Sequence, residues 1–165
     1  MSKAHLREPG KLSIVWIAVS SVLLTACQSS APVMRGGEGH EPLSPLQQRL
    51  LEEVQRWVGI PYCYGGASEA CTDCSGFVQQ IFAALGIWLP RTSAEQASAG
   101  REVVGPPRIG DLVLIFYGKR VRHVGIYLGG GRVAHASRSR GVVIEPLSNA
   151  SAGGSSVRFR RILPL

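Results

Sequence analysis

Hydrophobic residues follow three different rhythms along this chain. Residues 12–24 (LSIVWIAVSSVLL) form an uncharged apolar run of 13 residues, too short to span a bilayer comfortably. From residue 44 the rhythm is helical, with Leu46, Leu50, Val54 and Trp57 recurring before Gly59. Ser44-Pro45-Leu46-Gln47 supplies an N-cap, a first-turn proline and a capping-box glutamine. A second helix is predicted over 75–85, where Phe77, Val78, Ile81, Phe82 and Leu85 share a broad apolar face and Gly86 provides the stop. After Pro106-Pro107 the pattern changes to short β-rich runs at 112–116, 121–128, 132–137, 142–145 and 157–162, separated by Gly or basic turns. Helices first and strands afterwards predict an α+β domain, its N-terminal helices packed on an antiparallel sheet. There is no internal repeat.

Lys3, Arg7 and Lys11 precede the apolar run, as in the charged and hydrophobic regions of a signal peptide. The run ends in Leu24-Thr25-Ala26-Cys27, which resembles the bacterial lipobox. That resemblance implies lipidation of Cys27 and cleavage before it, and Gln28 in the next position implies the periplasmic face of the outer membrane. An ordinary secretory signal cut after Ala26 is the competing reading. A thioether-linked diacylglycerol with an N-acyl chain supplies the several chains that stable anchoring requires. The Ser, Pro, Gly and isolated charges that follow suit a flexible tether, and His40 within it has no expected role. The expected organisation is a signal peptide over 1–26, a tether over 27–44 and one folded domain over 45–165.

Composition narrows the class. The 165 residues are 45% apolar and 18% charged, with 20 Gly and 10 Pro, which fits one globular domain with an appendage and excludes collagen-like, disordered or multi-domain chains. Lys and Arg total 18 against 11 Asp and Glu, for a net charge of +7. The charge is uneven: residues 27–90 hold three cations and six anions, residues 91–165 twelve and four. A positive C-terminal half suits an anionic wall or lipid surface, with a merely solvated Arg-rich face as the alternative. Charge alone does not choose among nucleic acid, phospholipid and cell wall; taken with the rest of the sequence, wall and membrane are the expected partners, nucleic acid is not, and a monomer is expected.

The four cysteines, at 27, 63, 71 and 74, are too few and too clustered for a disulfide framework. Cys74 falls at the start of the second predicted helix, where unpaired backbone N–H groups and the helix dipole are expected to favour a thiolate. His123 and His135 lie downstream in strand-like segments. A helix-start cysteine, a histidine base and a third group orienting that base form the recurring arrangement of thiol hydrolases. The hairpin between the histidines tests it. An even loop would turn His135 away from His123, whereas a three-residue loop with Leu128 opposite Arg132 puts both on one face, His135 opposite Gly125. The glycines at 129–131 predict the odd register.

Six segments then carry a family resemblance: Tyr62-Cys63-Tyr64-Gly65-Gly66, Asp73-Cys74-Ser75-Gly76-Phe77-Val78, Arg91-Thr92-Ser93-Ala94-Glu95-Gln96, Gly110-Asp111-Leu112-Val113, His123-Val124-Gly125-Ile126-Tyr127-Leu128 and His135-Ala136. In this order, from about Leu46 to Leu165, they resemble the NlpC family of bacterial cell-wall cysteine peptidases. The resemblance implies a papain-like fold acting on peptidoglycan stem peptides, without metal or cofactor. Cys74 is the implied nucleophile, His123 the general base and later acid, and His135 the orienting member. Tyr62 would stand near the oxyanion beside the Cys74 N–H. Asp73, Ser75 and Arg91 are implied contacts of the stem peptide, with Gln96 lining the same region; Asp111 reads as a turn or cap residue.

Cys63 and Cys71 depart from the family pattern. Cys71-Thr72-Asp73-Cys74 formally reads as C-x-x-C, but no thioredoxin-like βαβ pattern surrounds it and zinc is disfavoured. In an oxidising compartment a Cys63–Cys71 disulfide is expected to pin the loop before the nucleophile, two free thiols being the alternative. The function expected is an anchored peptidoglycan endopeptidase, cutting either the γ-D-glutamyl–diaminopimelate bond or the D-alanyl–diaminopimelate cross-link. A catalytically silent wall-binding lipoprotein and a thiol–disulfide exchanger are the alternatives.

Overall fold

The computed structural model describes residues 42–154 and 156–164. The expectations for the signal peptide, for Cys27 and for most of the tether fall outside the described residues.

Helix α1 (Pro45–Trp57) starts with the reciprocal capping box read from the sequence. Gln47 N–H donates to Ser44 Oγ at 3.2 Å, and Ser44 N–H donates to the Gln47 side chain at 3.0 Å. Its buried stripe is Leu50, Val54 and Trp57. Helix α2 (Cys74–Ala84) begins one residue earlier than predicted because Asp73 is the N-cap, accepting from Gly76 N–H at 2.7 Å. Phe77, Val78, Ile81 and Phe82 are its buried face. Helix α3 (Ser93–Gln96) has its own capping box between Thr92 and Glu95. Four residues cannot display a helical period, so hydrophobic patterning does not reveal it.

Strands β1 (Arg101–Glu102), β2 (Leu112–Tyr117), β3 (Arg120–Tyr127), β4 (Arg132–Ser137), β5 (Gly141–Pro146) and β6 (Ser156–Arg161) form one sheet, with helix α4 (Leu147–Ala150) between β5 and β6. Five of the strands match the predicted runs to within one residue; β1 and α4 are additions. The sheet order is β1-β6-β2-β3-β4-β5, and every neighbouring pair is antiparallel. The last strand therefore returns to pair beside β2, closing contacts that span much of the chain.

Alternation assigns the two faces of the sheet. Leu112, Leu114, Val124, Ile126, Ala134 and Ala136 join the buried residues of α1 and α2 in the main core. Val113, Ile115 and Val133 gather a smaller cluster with Tyr127 and Phe159. Asp111 is a turn residue, as expected, accepting from Arg108 N–H at 2.7 Å. It is also buried, and it accepts two hydrogen bonds from Arg161 at 2.8 and 2.7 Å, which join the start of β2 to the end of β6.

The β3–β4 hairpin adopts the odd register. Ile126 pairs with Ala134 and Tyr127 with Val133, and Leu128 N–H donates to Arg132 O at 2.9 Å. Gly129, Gly130 and Gly131 have φ of 83°, 56° and 70°, conformations that L side chains rarely adopt.

Candidate active site

The loop before α2 sets the position of Cys74. Cys63 and Cys71 are disulfide-bonded, and Cys74 is free. Gly76 completes the close packing: a Cβ there would lie 2.1 Å from Gly66 O. Asp73 ties the loop to the helix and to Arg91. Its Oδ1 accepts from Gly76 N–H, from Ser75 Oγ at 3.2 Å and from Arg91 Nη1 at 2.9 Å, while its Oδ2 accepts from Gly65 N–H at 2.9 Å and Arg91 Nη2 at 2.7 Å. Arg91 also donates to Ser75 Oγ at 3.0 Å and Gly66 O at 3.0 Å. Burial alone would raise the Asp73 pKa, but the Arg91 hydrogen bond and charge and the Gly76 and Gly65 N–H groups outweigh it and hold the carboxyl below its usual range.

Tyr62, Asp73, Cys74, Ser75 and Arg91 line one cleft of about 350 Å³. Tyr64, 90% exposed, and Thr92 and Ser93 of the unpredicted α3 turn also line it. Gln96 does not reach the cleft. It is fully buried, and its Nε2 donates to Ser75 O at 2.9 Å and Pro90 O at 2.8 Å, supporting the loop from beneath.

The histidines meet through the sheet. The register that pairs Ile126 with Ala134 sets Gly125 opposite His135, so His123 and His135 are diagonal neighbours on one face. Their rings lie edge to face, with His123 Nε2 and His135 Nδ1 at 2.8 Å. Across the next pair His135 is opposite Val143, which places Glu145 on the same diagonal. His135 Nε2 lies 2.7 Å from Glu145 Oε1, and Arg140 Nη2 donates to both Glu145 oxygens at 2.9 Å. Neither Glu145 nor Arg140 has a sequence signal of its own. Glu145 could be found only by carrying the strand-pairing count across one more hairpin.

This chain of contacts determines the proton positions. Burial raises the Glu145 pKa, but hydrogen bonds from Arg140 and His135 outweigh it and keep the carboxyl low, hence ionised. An ionised carboxylate only accepts, so His135 Nε2 carries a proton. Burial lowers the pKa of His135 despite the opposing Glu145. The ring is therefore neutral, its Nδ1 bare, and His123 Nε2 must be the donor. His123 Nδ1 is left unprotonated and available. Desolvation, then the repulsion that His135 would exert if it too were protonated and the charge of Arg138, lower the His123 pKa to about 4 against the opposing Glu145.

Cys74 departs from the expected thiolate. Burial raises its pKa above the ordinary thiol value, and the charge of Asp73 adds to the rise. The N–H groups of Val124, Ser75 and Cys74 itself pull down less strongly. Desolvation thus outweighs the helix N-terminus. The sulfur is close enough to Val124 to feel its N–H, one residue after His123, but among the described residues no hydrogen bond joins it to either ring. The resting pair is a thiol and a neutral imidazole, with the base already in its proton-accepting tautomer.

A second cleft, of about 630 Å³, is lined by His123, His135 and Glu145. Arg122 and Arg138 line both clefts.

Comparison with known proteins follows the same segments. The model of the NlpC/P60 family matches residues 59–161. The chain is 41% identical over 105 residues to the murein DD-endopeptidase MepS/murein LD-carboxypeptidase of Escherichia coli strain K12, across 62% of this chain and 56% of that protein. The match therefore spans little more than half of that relative's length. A probable endopeptidase of Haemophilus influenzae is 35% identical over 154 residues, across 88% of this chain and 95% of its own. The crystal structure of an NlpC/P60 family protein from Bacillus cereus ATCC 10987 superposes with a TM-score of 0.67 at 31% identity, over 74% of this chain and 42% of that one.

Proposed function

The chain belongs to the NlpC/P60 family, and from that premise we propose that it is a cysteine endopeptidase of peptidoglycan stem peptides. The observation that carries the proposal is the three-strand chain from His123 through His135 to Glu145, which leaves a bare imidazole nitrogen on the residue next to Val124, against which the Cys74 sulfur lies. Names of the relatives as endopeptidases support it.

In this mechanism the Cys74 sulfur attacks the amide carbonyl as its proton passes to His123 Nδ1. The Cys74 N–H and the Tyr62 hydroxyl receive the negative charge that develops on the carbonyl oxygen. His123 returns the proton to the departing amine, and water, activated by the same ring, hydrolyses the thioester. His135 keeps the ring oriented, and Glu145 keeps His135 in the tautomer that allows it. Asp73, Ser75 and Arg91 hold the stem peptide on the acyl side. A lipid on Cys27 would anchor the protein on the periplasmic face of the outer membrane.

Full-length protein purified in detergent, with and without Cys74→Ala, is incubated with purified sacculi, and the fragments are analysed by mass spectrometry. Cleavage by the parent alone is expected. Sacculi that bind both proteins and are cut by neither, with reductant present, would replace the enzyme with a wall-binding protein.

A further inference from the structure

Two guanidinium groups stand at this site without a counter-charge. Arg91 and Arg140 are committed to Asp73 and Glu145. Arg122 and Arg138, by contrast, make no ion pair or hydrogen bond among the described residues, yet both line both clefts. Like charges gathered at a cleft repel each other and attract an anion.

The backbone explains how Arg122 comes to be there. On β2, Ile115 pairs with His123 and Phe116 with Val121, so Arg122 is the extra residue of a β-bulge. A bulge interrupts alternation and re-aims a side chain. Here it lets two successive residues, Arg122 and His123, line the same cleft. Arg138 is the first residue beyond β4, and its positive charge acts on the His123 ring. The two arginines therefore stand where the two clefts adjoin, beside His123 in the larger cleft and facing Cys74 in the smaller.

The mechanism gives that location a chemical meaning. The ring that protonates the departing amine must adjoin it, so the His123 cleft receives the leaving group and the Cys74 cleft the acyl group. We propose that Arg122 and Arg138 form a carboxylate-binding site on the leaving-amine side, so that the preferred substrate releases an amine whose own carbon bears a free carboxylate. This inference rests on the role given to His123 above.

It also selects between the two candidate bonds. In the D-alanyl–diaminopimelate cross-link, the leaving amine shares its carbon with the unlinked carboxyl of diaminopimelate. In the γ-D-glutamyl–diaminopimelate bond of a longer stem, the corresponding carboxyl is itself tied up in an amide. Its nearest free carboxylate belongs to the glutamyl residue, on the acyl side and several bonds from the carbonyl. A carboxylate two bonds from the departing nitrogen would enter the cleft that Arg122 and Arg138 line together with His123. Charge-assisted contacts of this kind discriminate by about ten- to a hundredfold.

The test pairs one chemical change in the ligand with one in the protein. Binding of a D-alanyl–diaminopimelate cross-linked dimer is measured by calorimetry on full-length Cys74→Ala protein, with the leaving-side carboxyl free or amidated. The free acid is expected to bind at least tenfold more tightly. Adding Arg122→Gln and Arg138→Gln is expected to bring its affinity down to that of the amide. Equal binding of acid and amide to the Cys74→Ala protein, or a preference that survives both Arg changes, overturns the proposal. Cleavage of the same dimers by protein retaining Cys74 separates the two claims. Discrimination in binding without cleavage of any stem or sacculus keeps the carboxylate site and removes the peptidase.

Discussion

At Cys74 two effects oppose each other, and burial is the larger. The thiol is held above its ordinary pKa while His123 is lowered to about 4, so the pair rests uncharged near neutrality. Iodoacetamide modification of Cys74 should therefore keep accelerating with pH beyond the ordinary thiol range of about 8.5. A rate already level at neutral pH would show a pre-formed thiolate–imidazolium pair instead. Because His123 loses its base form only as pH falls towards its own lowered value, activity should persist well below the ordinary histidine range of about 6.5. Glu145 acts one residue further back. Glu145→Gln offers His135 an amide that can donate as well as accept, which releases the tautomer. We expect kcat to fall about 10- to 100-fold with KM little changed, and Glu145→Asp to recover part of the loss. Glu145 raises the pKa of His123, so its removal should also move the acid limb to lower pH. A variant with unaltered kcat and pH profile would reduce Glu145 to a packing residue.

At the scale of elements, the site depends on how one helix start meets one loop and how three strands are registered. Gly76→Ala would drive a Cβ to within 2.1 Å of Gly66 O. The contact is with backbone and has no flexible end that could yield, so the loop and α2 must separate. The expected loss is about 2–4 kcal/mol of stability in urea unfolding, with loss of activity under conditions where the chain is still folded. Unchanged stability would mean that the loop yields freely. The register of β3, β4 and β5 is as strict. A shift of one residue at Gly129–Gly131 would turn His135 away from His123 and break the path to Glu145.

Over the whole molecule, charge is separated along the chain. The net charge is +7, and the cations are concentrated after residue 90. Of the strands that carry them, β6 sits between β1 and β2, and β3 and β4 bring Arg122 and Arg138 to the clefts. Such a field adds a screened, long-range attraction to any anionic wall polymer. Retention of the Cys74→Ala protein on sacculi should weaken severalfold as salt rises from about 0.05 M to about 0.5 M. Salt-independent retention would assign binding to the clefts alone.

Much of this arrangement is legible in residue order, because some constraints are local. Capping at Ser44, the stripe from Leu50 to Trp57, the β-rich runs and the odd hairpin at Gly129–Gly131 each depend on neighbours a few positions apart, so dihedral periodicity and turn chemistry reveal them. The facing of His123 and His135 follows from that parity alone. Other features arise when distant segments meet. Residue order does not reveal that β6 inserts beside β2, that Gln96 is buried beneath the loop or that Arg140 and Glu145 complete the histidine chain. The Cys74 thiol is the sharpest case. Its place at a helix start is a local property and argues for a thiolate, but desolvation is set by everything packed around it, and that reverses the sign.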